Sequence, residues 1–118
     1  IALNEDEMIF DHQELKSRLM NNQALIKEII TGFFCDVETK LEILQAAIKE
    51  SEYYDVVNSA HELKGASANL SFNKFSLLMK EIEMAARSEN SKEMALKSTH
   101  IDHLLVTTKM QVFKQISS

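Results

Sequence analysis

The stretch His61-Glu62-Leu63-Lys64-Gly65-Ala66-Ser67-Ala68-Asn69-Leu70 reads as a helix with one buried and one exposed side. At about 100° per residue, Val56, Ala60, Leu63, Ala66 and Leu70 fall together, with Val57 at the margin. His61 points away from that face, so its ring is expected in solvent. Lys64 and Gly65 follow by three and four residues, the spacing of direct neighbours on a helix surface. A glycine inside a helix costs about 1 kcal/mol relative to alanine. Its simplest use here is to leave room for something bulky to approach the imidazole. A neutral, exposed imidazole is a nucleophile, and a lysine beside it supplies a mobile point charge suited to a phosphoryl group.

Outward from this stretch the chain reads as further helices. Asp11 is a candidate N-cap for a short helix to about Met20. A long helix from about Asn22 to Glu50 carries Leu25, Ile29, Phe33, Val37, Leu41, Leu44 and Ile48 at helical spacing. Ser51 is the next candidate N-cap, opening the histidine helix from Glu52 to about Leu70. A fourth helix covers Asn73 to Ser88, with Phe75, Leu78, Ile82 and Ala85 or Ala86 inward. Asn90 with Glu93 resembles a capping box and starts a last helix reaching about Ile116. Residues 1–9, acidic through Glu5, Asp6 and Glu7, read as the end of a linker, and 10–118 as one domain. The fold class expected is all-α: an antiparallel up-and-down four-helix bundle, with the additional short N-terminal helix laid across one end.

Composition agrees with a single folded domain. The chain has 118 residues, no proline and only two glycines, so nothing supplies the turns of a sandwich or barrel. Its net charge of -5, with no basic run, argues against nucleic acid as a partner, because phosphate neutralisation needs clustered Lys and Arg. No apolar stretch approaches the roughly 18 residues of a membrane span, so direct membrane contact is not expected. Cys35 is the only cysteine; with Phe33, Phe34 and Val37 around it, it reads as a buried thiol in a reducing, cytoplasmic compartment. The six methionines read as core filling. His12, His100 and His103 read as solvated or half-buried, and no metal or cofactor is expected.

The pattern His61-x-Leu63-Lys64-Gly65, followed by small residues, Asn69 and Leu70, resembles the signature of histidine-containing phosphotransfer (HPt) domains. Phe10-Asp11, Leu15, Phe33-Phe34, Ala60, Phe75, Leu78 and Ile82-Glu83 extend the likeness over nearly the whole chain. The family commonly has glycine where this chain has Ser71, a position that would serve a left-handed or tight turn. The resemblance implies that His61 accepts a phosphoryl group from the aspartate of a response-regulator receiver domain and passes it to another receiver. It implies Mg²⁺ on the receiver and none here, a module of a hybrid sensor histidine kinase whose parent is anchored in the inner membrane, and no ATP site. Lys64 would stabilise the phosphoryl oxygens and Gly65 would clear the approach. Glu83 matches a position often hydrogen-bonded to the histidine, and Arg87, a turn further, would reach a phosphoryl oxygen or the partner.

Other readings of the same residues remain open at this level. Glu83 and Arg87 also fit an exposed ion pair within one helix. Tyr54 reads as a docking contact or as a packed aromatic at a helix end. The chain as a whole also fits the substrate domain of a chemotaxis-type kinase, a passive helical docking module, or a metal-binding bundle. Singly amphipathic helix faces favour a monomer.

Overall fold

A computed structural model describes residues 3–117. Among these, seven helices and no strands are found: α1 (Glu5–Ile9), α2 (His12–Arg18), α3 (Gln23–Lys49), α4 (Tyr53–Asn69), α5 (Asn73–Arg87), α6 (Ser91–Ser98) and α7 (Ile101–Ser117). The long helices α3, α4, α5 and α7 form the all-α bundle, with α4 packed on both α3 and α5, and α7 on α5. Among the described residues no helix is long and apolar enough to cross a membrane.

The expected helices are present, and their ends show where sequence reading slipped. Asn4 accepts from the Glu7 amide and opens α1, so the segment expected as linker is helical from Glu5 and buries Ile9. Asp11 caps α2 as expected, and Asn22, expected only as the start of the long helix, caps α3. Asn90 accepts from the Glu93 amide, but the helix it starts stops at Ser98, and a break at Thr99 and His100 separates α6 from α7. Ser51 caps nothing. It sits at φ 52° just past α3, and its hydroxyl meets that of Ser91.

Ser51, Ser71 and Glu89 share one device. Each adopts the left-handed conformation just past a helix, and its own amide and the next one bond back to carbonyls of the last turn, the pattern that usually selects glycine. Left-handed backbone costs about 1–2 kcal/mol for a residue with a side chain. At Ser71 the side chain offsets that cost. It is fully buried, accepts from Arg18 at 2.5 Å and donates to Glu14 at 2.7 Å, while its carbonyl accepts from the Asp11 amide. The serine in place of the family's usual glycine thereby ties α2 to the turn between α4 and α5.

Packing corrects several expected burials. Steps of four along a helix advance 40° each, so the stripe from Leu25 to Leu41 spirals off one side. Ile26 and Ile30 are buried near the start of α3, and Leu25 is exposed. Cys35 is exposed, because its apolar neighbours in sequence lie on other sides of the helix. On α4 the core holds Ser67 rather than Ala66, with the hydroxyl donating to the Leu63 carbonyl at 2.6 Å. Phe10, Phe33, Phe34, Phe72 and Phe75 make edge and stacked ring contacts at the α2 end of the bundle.

His12 stacks on Phe10 at 5.4 Å, and its Nε2 is buried without a hydrogen-bond partner among the described residues. Burial, then the Lys16 charge, hold its pKa below 6.5. The unfolded chain therefore binds this proton more readily than the folded one. The contribution is complete above about pH 6.5 and is lost as pH falls through the lower folded value. Denaturant melts at about pH 7 and pH 5 should show a smaller acid loss of stability in His12→Phe than in the parent. An identical loss in both would remove His12 from the account.

Candidate functional site

The histidine helix places His61 where its sequence pattern puts it, with the side chain 63% exposed. What sequence could not give is the register of α4 against α5. One hydroxyl marks it: Ser76 donates to the Lys64 carbonyl at 3.1 Å, a carbonyl that also accepts from Ser67 within α4 at 3.2 Å. Ser76 lies on α5, so this bond joins the two helices at the level of the site.

In that register Glu83 of α5 comes under His61. Its side chain is only 7% exposed, and its carboxylate serves three nitrogen-bearing groups. Oε1 lies 3.3 Å from His61 Nδ1 and 3.0 Å from Lys64 Nζ. Oε2 accepts from Arg87 Nη2 at 2.8 Å and Nε at 3.1 Å. Burial alone would push the carboxyl pKa up. The bonds from Arg87, Lys64 and His61, with the Lys64 charge, outweigh it and hold the pKa below the usual carboxylate range. An ionised Glu83 has no proton to give, so the contact is Nδ1–H donating to the carboxylate. Nε2 then keeps its lone pair.

The structure brings together four of the five sequence candidates, His61, Lys64, Glu83 and Arg87, and leaves Gly65 open beside them. Lys64 is half-buried against Glu83 rather than free in solvent. Arg87 makes the ion pair within its own helix that was the alternative reading, and that pair is part of the site. At Gly65 no atom beyond the surrounding helix backbone and its chain neighbours lies within 4 Å of where a Cβ would sit. Its φ is not positive. Neither packing nor backbone conformation asks for glycine there.

The two helices of the site also expose apolar side chains. Tyr54 is exposed on the His61 side of α4, and Leu77 and Met84 are exposed on α5. Met84 corrects the expectation that the methionines fill the core: Met79 and Met94 do, while Met8, Met20, Met84 and Met110 are exposed. A helical position of Met carries no sign of which side it occupies; only the phase set by Phe75, Leu78 and Ile82 reveals Met84 as outward. Tyr53, by contrast, turns in and shares a 2.6 Å hydrogen bond with Ser91.

The arrangement can orient a nucleophile, keep a counter-charge beneath it, and offer cations to charge developing above it. No curated protein and no solved structure shows a significant match to the chain. The family model described as Hpt domain matches residues 28–114, which take in α4, α5 and every residue of this site. The match covers most of the chain and centres on the helix pair that carries the exposed histidine, and on that ground the chain belongs to the Hpt domain family.

Proposed function

We propose that His61 is the phosphoacceptor of a phosphorelay, taking a phosphoryl group from the aspartate of one response-regulator receiver domain and passing it to another. The observation that carries this reading is the Nδ1–H bond to buried Glu83, which leaves the Nε2 lone pair available on an exposed ring. Nε2 forms the N–P bond as the P–O bond to the donor aspartate breaks, and the electron pair leaves with that carboxylate. Phosphorylated at Nε2 and still protonated at Nδ1, the ring is cationic, and Glu83 lies 3.3 Å away to balance it. Transfer onward reverses these steps. Alignment and charge supply the catalysis, as in phosphoryl transfer generally.

Mg²⁺ belongs to the receiver in this scheme. Tyr54, exposed on the His61 side of α4, gives the receiver an aromatic contact. The parent protein proposed is a hybrid sensor histidine kinase with this module in the cytoplasm. Incubation with a receiver domain carrying labelled phosphate is the test: label should move to His61, and binding without transfer would leave a docking module.

Lys64 is the cation free to change partner, because Arg87 still neutralises Glu83 when Lys64 turns to the phosphoryl oxygens. Lys64→Ala should slow transfer at saturating receiver by roughly 10- to 100-fold and leave docking largely intact. An unchanged rate with lost binding, read by stopped-flow transfer and by titration, would make Lys64 a contact residue only.

A further inference from the structure

Lys64 is fastened to α5 at two points. Its Nζ lies 3.0 Å from Glu83 Oε1, and its main-chain carbonyl accepts from the Ser76 hydroxyl at 3.1 Å. Ser76 and Glu83 are two turns apart on α5, about 10 Å of helix rise, so the two attachments together oppose both sliding and rotation of α5 against α4. Among the described residues the remaining polar link between these helices is the 3.3 Å contact of His61 Nδ1 with Glu83 Oε1. For an N–H···O bond that is long and leaves little slack. A shift of α5 by about 1 Å, less than the rise of one residue, is enough to break it.

In the phosphoacceptor reading, on which this inference rests, Lys64 leaves Glu83 as it turns to the phosphoryl oxygens. One of the two attachments is then lost while the ring becomes cationic and needs Glu83 beneath it. The Ser76 bond is indifferent to that movement, because it ends on the main chain of Lys64 and not on its ammonium. We propose that Ser76 is a positioning residue for the transfer: its hydroxyl holds the register of α4 against α5 while Lys64 is away, and so keeps Glu83 on Nδ1 and the Nε2 lone pair free. Arg87 fixes the Glu83 carboxylate within α5, so what Ser76 controls is the place of that carboxylate relative to the ring. The Lys64 carbonyl also accepts from Ser67 at 3.2 Å. Removing the Ser76 hydroxyl therefore leaves this acceptor a partner, and the fold stands.

Nitrogen-15 NMR of the whole chain at about pH 9, where imidazole is neutral, reads the tautomer of His61. The Nδ1–H form should dominate in the parent, in Ser76→Ala and in Lys64→Ala, since one attachment remains in each single variant. The double variant, with neither, should show a mixture of tautomers. Phosphorylation by phosphoramidate, which needs no docking, should slow roughly tenfold in Ser76→Ala and recover in Ser76→Thr, which keeps the hydroxyl. An unmixed Nδ1–H form in the double variant would overturn the proposal. So would a Ser76→Ala rate equal to that of the parent, or a slowed rate that Ser76→Thr does not restore. A parent that takes no phosphate at all would sink the phosphoacceptor reading instead, and the tautomers of the double variant would still decide whether Ser76 places Glu83.

Discussion

His61→Gln is expected to abolish phosphoryl acceptance completely while changing stability by no more than about 0.5 kcal/mol, the range of surface substitutions. The ring is mostly exposed, so little packing is lost. Glu83 keeps Lys64 and Arg87 as partners, so its buried charge stays compensated when the imidazole goes. Glutamine fills a similar space and can still donate to Glu83, but its amide nitrogen has no lone pair with which to attack phosphorus. Acid-labile label should vanish, and the thermal melt should superimpose on that of the parent. Phosphate retained in this variant would place the nucleophile elsewhere.

Gly65→Gln is expected to cut transfer from a receiver by about a hundredfold, the scale at which a small misplacement of reacting groups is felt. The fold should survive. The space where a Cβ would sit is open, so the side chain enters solvent and meets no core. Gly65→Ala should raise helix stability by up to about 1 kcal/mol, since neither a clash nor a special backbone angle opposes it. Phosphoramidate, a small donor that needs no docking clearance, should phosphorylate Gly65→Gln nearly as well as the parent. Equal loss with both donors would mean that the substitution disturbs His61 itself. An unfolded Gly65→Gln would mean that the glycine serves packing.

Periodicity was sufficient for much of what belongs to one helix. The exposure of His61, its adjacency to Lys64 and Gly65, the inward set Phe75, Leu78, Ile82 and Ala85 or Ala86, and the caps at Asp11 and Asn90 are local consequences of 3.6 residues per turn and of free amides at helix starts. Where the pattern was ambiguous the sequence misled. Asn4 opens a helix in a segment that looks like linker, Cys35 has apolar neighbours on faces other than its own, and the break at Thr99 and His100 has no glycine or proline to announce it. The left-handed residues Ser51 and Glu89 were hidden because side-chain-bearing residues hold positions that usually favour glycine, whereas Ser71 was signalled only by the glycine usual there in the family.

The sequence by itself therefore determined the all-α class, the exposed histidine and the cation and gap beside it. Only the tertiary structure decided that Glu83 lies beneath His61 and that Lys64 and Arg87 share its carboxylate. The physical reason is that helical spacing fixes angles within a helix and says nothing of the shift and rotation between two helices. Those are set by side chains meeting across the interface, here by the Ser76 hydroxyl on the Lys64 carbonyl and by rings packed beneath the α4–α5 turn.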